Sequence, residues 1–130
     1  TASDVYKRQK PISASSNRTW AQNGVTVAGG LSSGHGLHEL SYPSDLVMDD
    51  RGTMFIADYE NHRIMSWKFN ATSGELIAGG KGRDNGTDQL NQPIAVAFDQ
   101  IENRLIVSDL GNQRVIGISL TNPSRQDVLV

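Results

Sequence analysis

Cysteine is absent from the 130 residues, which excludes disulfide bonds and thiolate metal ligands within this chain and leaves the redox compartment open. No apolar run approaches the roughly 20 residues that cross a bilayer. The amino end also lacks the apolar segment of a secretory signal. The net charge is −2, whereas nucleic-acid binders usually carry a basic excess or stripe. Apolar residues make up 37% of the chain, which is low for a deep core but ordinary for thin, twisted sheets.

Glycine, in contrast, is abundant at 13 residues, and the chain repeats itself. Abundant glycine favours turn-rich β-structure over helices. Gly29 recurs as Gly79 and Pro43 as Pro93, both 50 residues on. Further along, the offset becomes 51, and three polar residues recur together: Asp58, Asn61 and Arg63 return as Asp109, Asn112 and Arg114. Matches in a fixed order at one spacing indicate a structural repeat.

The extra residue that changes the offset lies at 50–52 in the first copy and at 100–103 in the second. Both segments are rich in Asp, Asn or Gly and are typical of hairpin turns. A turn accepts an inserted residue, whereas an insertion within a strand would turn every following side chain to the other face. The position of the insertion therefore predicts a hairpin at this point in each copy.

Four short strands are predicted for each copy from apolar runs separated by turn signals. In the first copy they are Leu46–Met48, Met54–Ala57, Arg63–Trp67 and Leu76–Ala78. In the second they are Ile94–Phe98, Arg104–Val107 and Arg114–Ile118, while Val25–Ala28 is predicted to be the fourth strand of an earlier copy. Four strands at a period near 50 predict the blades of a β-propeller.

Residues 42–64 resemble an NHL repeat in particular: a proline-led apolar strand, an Asp, a glycine turn, an apolar strand ending in Asp, then Asn-His-Arg-Ile. The second copy keeps the pattern but has Gln113 in place of His62 and Asn103 in place of the turn glycine. Kelch repeats fit less well because Tyr59 and Trp67 of the first copy are Leu110 and Ile118 in the second, and WD repeats fit less well because no Trp in the chain precedes an Asp. The resemblance covers roughly residues 20–120 and implies an all-β fold, a partial β-propeller of four-stranded antiparallel NHL blades.

The domain organisation follows from this resemblance. Residues 1–19 are expected to be a non-native or disordered tail, since residues 2–9 resemble the translation of a sequencing adapter. Residues 20–130 are expected to form the propeller fragment, with a blade remnant at about 20–42 and blades at about 43–79 and 93–130. NHL propellers close with about six blades, so others are expected to precede or follow. The chain alone is expected to be marginally stable or to aggregate, and a cooperative, monomeric melting transition would contradict this.

The repeated polar residues are the candidate site, and two interpretations apply to them: Asp58, Asn61, His62, Arg63, Asp109, Asn112 and Arg114. They are either a ring of ligand-binding groups or a joint needed by each blade. The structural interpretation is favoured, because an Asp that ends a strand and the Asn in the next turn can satisfy loop N–H groups, and the Arg can pair with the Asp. No catalytic residue, metal ligand or cofactor site is predicted, and His35 and His38 are expected to be solvated loop residues.

Three glycosylation sequons, at Asn17, Asn70 and Asn85, are a mild indication of an extracellular protein, whereas a relationship to ubiquitin ligases would indicate the cytoplasm. The resemblance implies a protein-protein recognition scaffold, such as the substrate-binding part of a RING-type ubiquitin ligase-like protein. Two alternatives stay open. One is a secreted NHL-like enzyme of the peptidyl-hydroxyglycine lyase type, and the other is an RNA-binding NHL domain. A protein partner is expected, and a nucleic-acid partner is not favoured by the negative charge.

Overall fold

A computed structural model describes residues 23–30, 32–82, 86, 89–122 and 125–130. The predicted tail at 1–19, with Asn17, therefore lies outside the described residues, as does Asn85. The described chain is all-β and forms two four-stranded antiparallel sheets, each with its strands in sequence order. No helix among the described residues is long and apolar enough to span a membrane. The all-β propeller fold predicted from the sequence is confirmed.

The first sheet contains β1 (Pro43–Met48), β2 (Met54–Asp58), β3 (Arg63–Trp67) and β4 (Glu75–Gly79). The second contains β5 (Pro93–Asp99), β6 (Arg104–Asp109), β7 (Arg114–Ser119) and β8 (Gln126–Val128). Short 3-10 turns, Tyr59–Asn61 and Leu110–Asn112, join the second and third strand of each sheet. Every strand predicted from 46 to 118 is present, and these strands form two four-stranded sheets.

The predicted insertion lies in the hairpin between the first two strands of each sheet. Met48 pairs with Met54 across the first hairpin, whereas Phe98 pairs with Leu105 across the second, which is longer by one residue. Gly52 has φ +86 in the first turn, and Asn103 has φ +49 at the equivalent position. Asparagine is among the few non-glycine residues that tolerate this left-handed region. The turn therefore keeps its conformation although the glycine is replaced.

The two sheets pack face to face, and alternation along the strands decides which residues meet. From the first sheet, Phe55, Ala57 and Ile64 point toward the second sheet. The second sheet contributes buried side chains to the same cluster: Leu105, Val107, Ile116 and Ile118. This shared cluster, completed by Leu90 from the connecting loop, is the larger apolar core of the described chain.

The other face of the first sheet carries the repeat equivalents of these second-sheet residues: Met54, Ile56, Met65 and Trp67. Ala28 and Leu40 pack against them, as Ala78 and Leu90 pack in the larger cluster. The correspondence extends to single atoms. A Cβ on Gly29 would lie 3.0 Å from Leu40 Cδ1, and a Cβ on Gly79 would lie 3.1 Å from Leu90 Cδ1. Ala28, Gly29 and Leu40 thus pack on the first sheet as Ala78, Gly79 and Leu90 pack on the second.

One prediction about this segment is wrong: Val25–Ala28 is not a strand. An outer strand needs the third strand of its own blade beside it to form a hydrogen-bonded ladder. The described residues contain no strand that pairs with 25–28, so its backbone stays irregular although Ala28 is correctly positioned. The apolar pattern alone indicated a strand here, but a strand forms only where a neighbouring strand completes the hydrogen-bonded ladder.

Candidate functional site

The repeated polar residues occupy a tight turn between the two central strands of each sheet, β2 and β3 in the first and β6 and β7 in the second. We call the end of the sheets at which these turns lie the motif edge. In the first blade, β2 ends at Asp58, the 3-10 turn follows, and His62 has φ +53 before β3 starts at Arg63. The second blade repeats this turn, with Gln113 at φ +51. The left-handed residue reverses the chain so that the Asp and the Arg become partners in the ladder between the two strands.

Asp58 is fully buried, and its carboxylate accepts three hydrogen bonds. The Ser41 amide donates to Oδ1 at 2.7 Å, while Asn61 Nδ2 and Arg63 Nε donate to Oδ2 at 2.8 and 2.7 Å. A buried carboxylate is stable only when it is paired and hydrogen-bonded in this way. Asp58 therefore ties the loop before β1 to the turn between β2 and β3.

Arg63 is only 5% exposed and extends the network into the loop of residues 34–39. Its Nη1 donates to the His35 carbonyl at 2.8 Å, and its Nη2 donates to the Gly36 and Glu39 carbonyls at 2.9 Å each. The planar guanidinium suits this task because it presents several donors in a fixed geometry. The loop is thus ordered around a buried cation that is neutralised by Asp58.

The second blade builds the same joint with almost the same distances. The Asn91 amide donates to Asp109 Oδ1 at 2.7 Å, and Asn112 Nδ2 and Arg114 Nε each donate to Oδ2 at 2.8 Å. Arg114 Nη2 donates to loop carbonyls, at 2.7 Å in the case of Gln89. Among the described residues, no buried side-chain polar atom lacks a hydrogen-bond partner. These bonds support the interpretation of the motif as a joint, since its polar atoms are occupied within the fold.

The three histidines lie in two different environments. His62 lies at the junction of the blades, where its Nδ1 accepts a hydrogen bond from the Gln92 amide at 3.0 Å. His35 and His38 are exposed in the loop that Arg63 organises. Beside them, hydrogen bonds from the Ser32 hydroxyl and the Gly36 amide hold the pKa of the Glu39 carboxyl below its usual value. No group of three potential metal ligands occurs in the part of the chain that the structure describes.

Asn70 is the one predicted glycosylation residue among those described. It is exposed, with φ +60, in the turn between β3 and β4, next to Phe69, which is 78% exposed. This position suits an acceptor asparagine, and its glycosylation stays a prediction.

The structure also brings together side chains that the sequence analysis did not single out: Tyr42, Tyr59 and Glu60, which we call the tyrosine patch. Tyr42 is 70% exposed, and its ring centroid lies 5.7 Å from that of Tyr59, with the planes tilted by 48°. Glu60 is exposed, and its Oε2 accepts a hydrogen bond from the Ser41 hydroxyl at 2.8 Å. The patch lies on the motif edge next to the Asp58 joint, since Ser41 forms hydrogen bonds with both Asp58 and Glu60.

A comparison of the two copies would have revealed this patch. The equivalent residues of the second blade are Gln92, Leu110 and Gly111, which have neither aromatic ring nor carboxylate. Gly111 is needed there, because an added Cβ would lie 2.4 Å from Asn91 Cγ, whereas the smaller Ser41 leaves room for Glu60. The joint is the same in both blades and the patch is not. The patch is therefore not required by the joint.

Comparison with known proteins agrees with this architecture. Residues 40–65 match the family model of the NHL repeat, a segment that includes β1, β2, the 3-10 turn and most of β3. No curated protein matches the chain. NHL repeats are typical of β-propeller modules that bind proteins. The chain therefore carries an NHL repeat, within the first of two four-stranded propeller blades.

Proposed function

We propose that this chain is part of a non-enzymatic β-propeller that recognises a protein partner through its motif edge. The observation that carries the proposal is the contrast between the two copies. The Asp–Asn–Arg joint is built alike in both blades, while the exposed residues around it differ. A scaffold that repeats its internal contacts and varies its surface is suited to recognition.

The partly open face of the first sheet supports the propeller part of this proposal. Phe69 is 78% exposed beside an apolar groove of about 480 Å³, which lies between Val25 and Val27 on one side and Met54 on the other. The repeat equivalent of Phe69 is Leu120, which packs against the larger core because a neighbouring sheet is present. We propose that further blades cover this face in the assembled propeller, with 25–28 as the outer strand of one of them.

A finer version of the proposal follows from the resemblance to NHL proteins. The propeller would be the substrate-binding part of a RING-type ubiquitin ligase-like protein. Recovery of the transcript beyond both ends of this chain tests it. A RING or B-box followed by further blades supports the ligase version. A signal peptide with a full ring of blades contradicts the ligase version and makes the sequons relevant as glycosylation sites of a secreted protein.

Binding measurements with the whole chain test the recognition function itself. A partner captured on the immobilised chain should bind again as a purified protein in a calorimeter, with defined stoichiometry. RNA binding instead would fall steeply with salt, because phosphate contacts release counterions. A lyase would show metal-dependent turnover of a peptide that ends in hydroxyglycine. Turnover, or salt-dependent RNA binding without any protein partner, would refute the proposal.

A further inference from the structure

We propose that the tyrosine patch binds an arginine or lysine side chain of a basic peptide segment; this inference rests on the proposed recognition function and names the partner's chemistry. The face of a tyrosine ring attracts a cation within about 6 Å of its centroid. Tyr42 and Tyr59 present two rings 5.7 Å apart, and Glu60 follows Tyr59 directly in the chain. Aromatic faces beside a carboxylate recognise a cationic side chain better than an apolar one.

The patch is held in place by contacts that join two backbone segments. The Glu60 amide donates to the Ser41 carbonyl at 3.1 Å, the Ser41 hydroxyl donates to Glu60 Oε2 at 2.8 Å, and the two rings touch. Ser41 is itself fixed by the hydrogen bond that its backbone N–H donates to the carboxylate of the buried Asp58. The rings and the carboxylate are therefore preorganised, which lowers the entropy lost when a ligand binds. Glu60 Oε1 accepts no hydrogen bond from the described residues and is available to a cation.

The backbone at Tyr42 is a second reason to assign binding to the patch. Tyr42 has φ +56, a region that bulky residues seldom adopt, and Gln92 has φ +54 at the equivalent position. The fold imposes this conformation in both blades, and the first blade places a mostly exposed aromatic ring there. An exposed tyrosine in a strained position contributes little to the core, whereas tyrosine is enriched among the residues that dominate protein interfaces.

Charge favours a cationic ligand rather than an anionic one. The chain has a net charge of −2, and the exposed Glu60 places a carboxylate within the patch itself. The nearest buried cation, Arg63, is already paired with Asp58 at 2.7 Å. A basic segment that crosses the motif edge would thus meet the rings and Glu60 without a like charge from the joint.

The test uses the whole chain and two acetylated, amidated octapeptides of Gly, Ser and two Arg residues, of which the second peptide has citrulline in place of Arg. Backbone amide shifts at residues 41, 42, 59 and 60 are followed by NMR during each titration. Citrulline keeps the shape and removes the charge. The arginine peptide is expected to bind about tenfold more tightly and to shift these four amides.

Two variants and one control locate the site. Tyr42→Gln introduces the residue that the second blade carries, and should weaken binding of the arginine peptide about fivefold. Glu60→Gln keeps an acceptor for the Ser41 hydroxyl and removes the charge, and it should weaken binding of the arginine peptide about threefold. Leu110→Ala, at the position equivalent to Tyr59, is the control and should leave the affinity for the arginine peptide unchanged. Melting curves of each variant establish that the fold is retained.

Equal affinity for the arginine and citrulline peptides would overturn this inference, as would arginine binding that both patch variants leave unchanged. Absence of any shift at the four amides with millimolar peptide would overturn it as well. If the chain still binds a purified protein partner in these cases, the proposed recognition function stands and only the chemistry of the partner is wrong.

Discussion

Removal of the buried carboxylate at Asp58 should destabilise the first blade strongly. Asp58→Ala leaves the Arg63 guanidinium, 5% exposed, without its counter-charge and the Ser41 amide without its acceptor. Breaking a buried ion pair by removing one partner costs about 3–5 kcal/mol. The orphaned amide adds about 1 kcal/mol or more. A domain of ordinary stability has only about 5–15 kcal/mol and this chain is expected to have less, so the variant should lose most of its folded population at low urea.

The assay is urea denaturation followed by circular dichroism and by tryptophan fluorescence, since Trp67 is buried in the first blade. Asp127→Ala is the matched control. Its pair with Arg125 spans 3.8 Å, with side chains 50% and 72% exposed, and an exposed pair contributes less than about 1 kcal/mol. Asp109→Ala should cost about as much as Asp58→Ala, because Asp109 is equally buried. If Asp58→Ala destabilises the chain no more than Asp127→Ala, the interpretation of the motif as a structural joint is refuted.

Two further changes test the backbone and the pH response. Gly79→Ala should lower the melting temperature more than Gly82→Ala. Both glycines have positive φ, but a Cβ on Gly79 would lie 2.3 Å from the His62 carbonyl and one on Gly82 meets nothing within 4 Å. The difference should be about 1–3 kcal/mol, typical of overpacking, and equal losses would contradict it. The Arg104 guanidinium, followed by the Glu102 amide, holds the pKa of the Asp99 carboxyl below its usual value. Its stabilising effect is therefore present above the unfolded-state pKa of about 4 and is lost as the pH falls through the lower folded-state pKa. Asp99→Asn should flatten the decline of melting temperature below pH 4, and an unchanged decline would contradict this assignment.

Much of the fold could be predicted because the chain contains two copies of one pattern, which can be aligned with each other. Two copies with one insertion located a hairpin in each blade, and the repeated spacing of Asp58 and Arg63 predicted the pair that the structure contains. The prediction failed where the repeat was incomplete. Val25–Ala28 has the apolar pattern of a strand, but the ladder that would make it one depends on a third strand beside it.

The positions of the strands and turns and the residues of the joint could be predicted from the sequence alone, because hydrophobic alternation and turn chemistry are local properties. Which face of each sheet is covered depends on the packing of the sheets, since Phe69 and Leu120 occupy equivalent positions and differ in whether a neighbouring sheet is present. The same packing brings Tyr42 and Tyr59, 17 residues apart in the chain, together beside the exposed Glu60. Contacts between distant segments depend on how the chain closes on itself, and the spacing of residues in a single copy does not contain that information.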